Sequence, residues 1–158
     1  MKNQYIAVLQ QGLIKKVSLL DQIIVKNTLQ KQLLSDPELD PDVLEENLNQ
    51  KAELVDALVE LDKGFEQVYE RIREDLTENR MEYRTEIAAM KEYITQITEK
   101  STQIQVQEQR NKDLMLQKFA TVKKQIREVK SNQKVVNQYY QNMMKLNYVD
   151  PQFMDNKK

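Results

Sequence analysis

Residues 65–150 contain no glycine and no proline, and their apolar residues recur every three or four positions. Glycine and proline are the strongest local breakers of regular structure, and apolar spacing of this kind indicates an amphipathic helix. The whole chain of 158 residues has only two glycines and three prolines, too few for the turns of an ordinary α/β or β fold. We therefore predict an all-α protein, an elongated antiparallel three-helix bundle or coiled coil with a long third helix and a flexible C-terminal tail.

Local signals place the breaks between the predicted helices. One helical domain covers 1–146, with helices over about 4–34, 41–77 and 81–146, and the flexible tail covers 147–158. Helix two has a clear start, because Asp40 suits an N-cap and Pro41 suits the first helical position. The second break is predicted at 77–80, where the apolar repeat thins and Thr and Asn follow Asp. One continuous helix over 41–146, paired in a dimer, is the alternative.

The apolar repeat also predicts which positions are buried. In helix one these are Ile6, Leu9, Leu13, Val17, Leu20 and Ile24, and in helix two they begin with Leu44, Leu48, Lys51, Val55 and Leu58. In helix three the seam runs through Ser101, Ile104, Glu108, Asn111, Met115, Phe119, Val122, Ile126, Val129, Gln133, Val136, Tyr140 and Met143. Polar groups on a covered seam need partners. We interpret Ser101, Glu108 and Asn111 as partly exposed, in a part of helix three that extends past its companions.

The absence of two residue types removes most enzyme chemistry. The chain has no cysteine and no histidine, so it offers no thiol nucleophile, no disulfide, no thiolate metal site and no imidazole base. It also lacks a phosphate-binding glycine loop and a nucleophile elbow. The i, i+4 row of Glu66, Glu70, Glu74, Glu78, Glu82 and Glu86 is interpreted as a solvated face rather than a cation site. We predict a protein that is not an enzyme and has no cofactor or metal.

Charge is distributed in three blocks. Residues 1–34 have a net charge of +4, residues 35–99 of −12 and residues 100–158 of +7. Opposite charges at bundle spacing attract, so we expect the chain to fold back on itself. We expect the basic row of Lys123, Arg127, Lys130 and Lys134 to pair with the acidic face of Glu46, Glu53 and Glu60 rather than with nucleic acid.

The longest apolar run covers only residues 5–9, far short of a membrane span. The first residues also lack the pattern of a signal peptide. We predict a cytoplasmic protein that does not insert into a membrane.

Several segments, in order along nearly the whole chain, match the motifs of one known protein family. The resemblance rests on helix one, the Pro/Asp linker, LNQKAELVDAL at 48–58, which is similar to the family's Lys-centred start of the second helix, and NKDLM at 111–115. It also rests on Tyr139-Tyr140 and on QFMDNKK at 152–158, which is similar to the tail of many Gram-positive members. On these features the chain resembles the FlgN-type flagellar export chaperones. The FliT-type chaperones share the helical build, and the choice between the two types stays open.

The resemblance implies a non-enzymatic cytoplasmic chaperone of flagellar type III export. Such proteins bind C-terminal helices of hook–filament junction proteins, prevent premature assembly and deliver them to the export gate. By this analogy the client would be held by helix three, through Asn111, Leu114, Met115, Phe119, Val122, Ile126, Val129, Val136, Tyr139, Tyr140 and Met143. Tyr139 or Tyr140 would dock at the export gate, although the chain lacks the glycine that often follows this tyrosine.

The C-terminal tail carries Tyr148, Phe153 and Met154 among polar residues. Aromatic and methionine side chains of this kind favour short-motif binding, while the alternative is a disordered end with incidental aromatics. For the whole chain, the alternative function is a structural coiled-coil protein that dimerises through the seam of helix three. The oligomeric state, monomer or homodimer, is therefore left open.

Overall fold

The computed structural model describes residues 3–121, which form three α-helices: α1 (Tyr5–Leu34), α2 (Pro41–Glu78) and α3 (Arg84–Thr121). The protein is an all-α three-helix bundle, as predicted. α1 begins one residue later than expected, α2 ends one residue later, and α3 begins three residues later. The expected end of helix three at 146 and the tail over 147–158 lie outside the described residues.

The start of α2 has the predicted cap. The side chain of Asp40 accepts a hydrogen bond of 2.9 Å from the backbone N–H of Asp42, and Pro41 occupies the first turn. This cap satisfies one of the N–H groups that lack a partner within the helix, and the proline has no such group to satisfy. Just before it, Asp36 accepts from the N–H of Glu38 at 2.9 Å. Two aspartates therefore shape the link between α1 and α2.

The second break is a short turn over 79–83, beside the first described residues. The Tyr83 hydroxyl donates to Asp75 at 2.6 Å and accepts from the backbone N–H of Asn3 at 2.8 Å. The Asn79 amide donates to the other oxygen of Asp75 at 2.6 Å. These hydrogen bonds, led by the one from Tyr83, lower the pKa of Asp75. Tyr83 is fully buried, so this turn is anchored although it has no glycine or proline.

The helices run down, up and down the bundle, with α2 antiparallel to its neighbours. Lys16 of α1 pairs with Asp62 of α2 at 2.8 Å, and Lys26 donates to Gln50 at 2.7 Å. Residue numbers thus fall in α2 as they rise in α1. α1 has its backbone close to both α2 and α3.

α3 runs parallel to α1. Asp21 of α1 pairs with Lys100 at 2.6 Å, and Asn27 donates to Gln107 at 3.1 Å. Numbers therefore rise together in these two helices, which places Thr121 beyond the Leu34 end of α1. Lys118 of α3 reaches the carbonyl oxygen of Asp36 in the α1–α2 link at 2.7 Å.

The core has two apolar clusters. The larger one extends from Ile6 and Tyr83 at one end of the bundle to Ile104. The smaller one consists of Leu34, Leu44, Leu48 and Met115, with Leu39, Leu114 and Phe119 packed against it. Between the two clusters the buried residues are polar.

The buried stripe of α1 differs from the prediction at two positions. Val17 and Ile24 are only half-buried, whereas Lys16 and Ile23 are buried. Because α1 packs against both other helices, its buried positions continue from Leu13 through Lys16 to Ile23. Between positions 16 and 17 the prediction chose the apolar Val17, although Lys16 is buried beside Asp62 at 2.8 Å. Between positions 23 and 24 both candidates are isoleucines, and the prediction chose the wrong one.

Candidate functional site

A buried polar layer joins all three helices between the two apolar clusters. Its members, called the polar layer below, are Asn27 and Gln30 of α1, Asn47 and Lys51 of α2, and Gln107, Glu108 and Asn111 of α3. Each of these residues is at most 7% exposed. Buried polar groups are favourable only when they find partners. The contacts of the layer therefore decide how these helices align.

Lys51 and Glu108 form an ion pair at the centre of the polar layer. Their charged atoms are 2.8 Å apart, and the side chains are 0% and 7% exposed. Lys51 also donates a hydrogen bond to the side-chain oxygen of Gln30. Burial lowers the pKa of Lys51, and the neighbouring Glu108 carboxylate partly offsets this effect.

Amide side chains extend the layer from α1 to α3. The Asn111 amide nitrogen donates to the backbone carbonyl of Asn27 at 3.0 Å and to the Gln30 side-chain oxygen at 3.3 Å. The Asn27 amide nitrogen in turn donates to Gln107 at 3.1 Å. The Gln30 side-chain oxygen thus accepts hydrogen bonds from both α2 and α3, and this one side chain of α1 links the other two helices.

The layer continues to its neighbours on both sides. Asn47 of α2 donates to the carbonyl oxygen of Lys26 at 3.1 Å. The Gln30 amide nitrogen lies 3.6 Å from the sulfur of Met115, at the border of the smaller apolar cluster. The polar layer is therefore continuous with the packing around it.

The structure corrects the interpretation of the polar seam in helix three. Glu108 and Asn111 were expected to be partly exposed, but they are 5% and 0% exposed. They are covered because α1 and α2 provide polar partners at the same level of the bundle. The apolar repeat of one helix does not show which residues of the neighbouring helices lie opposite it. Ser101 is half-buried.

The predicted client-binding residues are separated by the fold. Asn111 and Met115 are buried against α1 and α2, so their side chains present no surface to a partner in this fold. Leu114 and Phe119 are half-buried against the smaller cluster. The remaining predicted residues lie outside the described part of the chain: Val122, Ile126, Val129, Val136, Tyr139, Tyr140, Met143, Tyr148, Phe153 and Met154.

Four members of the polar layer were missed by the sequence prediction. Asn27 and Gln30 continue the α1 stripe of Leu20 and Ile23 at steps of four and three. Extending the stripe regardless of polarity would have found them. Asn47 precedes Leu48, and Gln107 precedes Glu108. They are buried because two neighbouring helices widen the covered arc, which a single-stripe prediction does not include.

A second charged pair lies within the larger cluster. Lys16 and Asp62 are 2.8 Å apart, and each side chain is 11% exposed. Burial raises the pKa of Asp62, although the Lys16 ammonium acts in the opposite direction. Both charged pairs therefore join α1 or α3 to α2 inside the bundle.

The described residues offer little for chemistry. The Lys51 amine is fully buried and faces Glu108 and Gln30, so a substrate has no access to it. Within residues 3–121 there is no group of three acidic residues placed to hold a metal ion. None of the three helices is long and apolar enough to cross a membrane.

No protein-family model matches the chain, and no curated protein or solved structure matches it at a significant level.

Proposed function

We propose that the protein is a non-enzymatic flagellar type III export chaperone of the FlgN type. In this role it binds the C-terminal helices of hook–filament junction proteins in the cytoplasm, prevents their premature assembly and delivers them to the export gate. The proposal depends on the resemblance, which rests on the order of its motifs and on the tail, and which includes 48–58 and 111–115, two segments far apart in the chain.

One structural observation supports this proposal. The two segments meet in the polar layer, where Lys51 and Asn111 both donate to the same side-chain oxygen of Gln30. Leu48 and Met115, from the same segments, lie together in the smaller apolar cluster. The residues that carry the resemblance therefore build one structural unit. A buried lysine and a buried asparagine each need an acceptor, and here they share one in the same network. This gives a physical reason for the residue types at positions 51 and 111.

The burial of Asn111 and Met115 changes where the client would bind. Client binding by a helix needs an uncovered amphipathic stripe. Within the predicted set, Leu114 and Phe119 are half-buried against the smaller cluster. The seam residues after Thr121 keep the heptad spacing: Val122, Ile126, Val129, Val136, Tyr140 and Met143. We assign client binding to this seam and a structural role to 111–115.

The test is binding of purified full-length chain to a C-terminal fragment of a hook–filament junction protein, measured by calorimetry. We expect a complex at micromolar or lower concentration. Ile126→Asp with Val129→Asp introduces charges on the seam and should weaken binding at least about tenfold, equivalent to about 1.4 kcal/mol. Val135→Asp, which lies off the seam, is the matched control and should leave binding unchanged.

Two results would contradict the proposal. One is the absence of a complex at micromolar concentration with every hook–filament junction protein of the same organism. The other is a complex that is equally affected by the seam variants and by Val135→Asp. Deletion from residue 111 is unsuitable as a test, because it removes Asn111 and Met115 from the core.

The second candidate function is a structural coiled-coil protein that acts through dimerisation. It is favoured by a different observation, the four large apolar side chains exposed on α1.

A further inference from the structure

α1 carries an apolar face on the side opposite to the bundle core. Its large apolar residues on this side are Ile14, Val25 and Leu29, with exposures of 47%, 65% and 39%. They lie along one strip, called the outer strip below, that also includes Ala7, Gln11, Ser18, Gln22 and Gln32. Every residue of the outer strip is exposed and none is charged.

The outer strip differs from the exposed face of α2. That face carries the acidic residues Glu46, Glu53, Asp56, Glu60, Glu66, Glu70 and Glu74, all exposed. Single exposed apolar residues are normal on a protein surface, but an uncharged strip aligned along a whole helix marks an interaction surface. From Ala7 to Gln32 the strip extends about 38 Å at roughly 1.5 Å per residue.

The positions of the apolar residues indicate what covers this strip. α1 spans Tyr5–Leu34, so its midpoint lies between Leu19 and Leu20. Ile14 and Val25 are equally far from this midpoint. When two such helices pair antiparallel over their full length, Ile14 of each meets Val25 of the other. Leu29 then falls near Gln11 of the second copy.

Charge favours the antiparallel arrangement over the parallel one. In a parallel pair the two copies of Asp21 would lie side by side, whereas in the antiparallel pair each faces Ser18 of the second copy. Asp21 is also held by Lys100 at 2.6 Å. In addition, antiparallel helix dipoles attract each other, and parallel ones repel.

We propose that the outer strip of α1 is the contact surface of an antiparallel homodimer, in which α1 packs against α1 of a second copy of the chain. The contact is isologous, so each pairing described above occurs twice about a two-fold axis near Leu19 and Leu20. The strip belongs to α1 alone, and the proposal does not depend on the client-binding role.

The first experiment is sedimentation of the full-length chain up to about 100 μM, a range chosen for dissociation constants of micromolar order. We expect a dimer. Ile14→Lys and Val25→Glu should each raise the dimer dissociation constant at least about tenfold, because a single charge is desolvated against an apolar partner. The two substitutions combined should restore dimerisation, since the lysine and the glutamate then meet across the two-fold axis. Val106→Lys, at an exposed apolar site of α3, is the control.

The second experiment measures the orientation of the two copies. The chain has no cysteine, so Ser18→Cys and Gln32→Cys each introduce one site for a spin label. In the antiparallel dimer the two copies of residue 18 lie about 10 Å apart, and the two copies of residue 32 lie roughly 37 Å apart along the axis. A parallel dimer gives equal distances at both positions.

Three outcomes would overturn the proposal: a monomer throughout the concentration range, a dimer that Ile14→Lys does not weaken, or equal label distances. A monomer whose Ile14→Lys variant loses binding to a client helix would assign the outer strip to the client instead. A dimer weakened by the single variants and restored by the double variant supports the antiparallel register.

Discussion

The ammonium of Lys51 lies 2.8 Å from the carboxylate of Glu108, inside the bundle and between its two apolar clusters. This contact joins α2 to α3, whereas the closest backbone packing in the bundle is between α1 and each of the other two helices. A buried ion pair adds little net stability, because desolvation offsets much of its attraction, but a buried charge without its partner is strongly destabilising. The pair therefore disfavours alignments of α3 that separate the two charges.

Removing either member of this pair should be much worse than removing both. We expect Lys51→Met and Glu108→Leu each to lower the free energy of unfolding by about 3–5 kcal/mol, since each removes the opposite charge from beside a buried one. The double substitution should recover most of this loss, because two apolar side chains of similar volume then fill the space. Urea denaturation at pH 7 measures all three variants.

The Lys63–Glu60 pair is the matched control for this double-mutant cycle. These charges are 3.4 Å apart on the surface of α2, with side chains 64% and 75% exposed. Their coupling should be at most about 0.5 kcal/mol. Additive effects of Lys51→Met and Glu108→Leu would contradict the role assigned to the buried pair.

The fold was predictable because helix signals are local. The cap at Asp40 and Pro41 and the 3–4 apolar repeat indicate helices without knowledge of the rest of the chain. The second break was also found, since the apolar repeat thins near 77–80. The end of this turn, where α3 begins at Arg84, was not predicted. Tyr83 closes the turn through contacts with Asp75 and Asn3, and both of these residues lie outside the turn.

The polar layer was not predictable as a unit. Lys51 was expected on the buried stripe of helix two and is fully buried, which confirms that position. Glu108 and Asn111 were also on a seam, but their polarity was taken as a sign of exposure. The alignment of three helices decides whether a polar seam residue finds a partner, and the repeat within one helix contains no such information.

Tyr83 should stabilise the turn between α2 and α3 through its hydroxyl. Tyr83→Phe removes the 2.6 Å hydrogen bond to Asp75 and the 2.8 Å hydrogen bond from Asn3. Hydrogen bonds to charged groups contribute about 1.5–3 kcal/mol, so we expect a loss in this range in thermal or urea unfolding. Tyr5→Phe is the control: its hydroxyl accepts one exposed hydrogen bond, from Arg71 at 3.2 Å. Equal effects of the two substitutions would contradict this assignment.

Asp62 and Asp75 should affect the pH dependence of stability in opposite directions. Burial raises the pKa of Asp62 above 3.8, so the folded state takes up a proton more readily than the unfolded state. The stability from this group is fully present below pH 3.8 and is lost as the pH rises through the folded-state pKa. The stability difference between wild type and Asp62→Asn should therefore shift in favour of wild type as the pH falls from 7 to 3.

Asp75 provides the comparison within the same chain. Its pKa is lowered by hydrogen bonds from Tyr83 and Asn79, so its contribution is present above pH 3.8 and is lost as the pH falls through the folded-state pKa. The advantage of wild type over Asp75→Asn should therefore shrink below pH 3.8. Urea denaturation from pH 7 to 2.5 tests both variants. Slopes of the same sign would contradict the opposite causes assigned to the two carboxyl groups.

Gly64 should be a site where a simple substitution stabilises the protein. It lies within α2 with helical backbone geometry, is exposed, and has no heavy atom within 4 Å of the position that a Cβ would occupy. Glycine in a helix interior is less favourable than alanine by about 0.5–1 kcal/mol, mainly because of the conformational freedom it has when unfolded. Gly64→Ala should raise the free energy of unfolding by this amount.

The reverse substitution at Ala57, also exposed on α2, is the matched control. Ala57→Gly should destabilise the protein by about the amount that Gly64→Ala gains, again 0.5–1 kcal/mol. The Cβ introduced by Gly12→Ala in α1 would lie 3.4 Å from the Phe65 ring, an ordinary contact, so a gain of similar size is expected there. A loss of stability in Gly64→Ala would contradict this prediction.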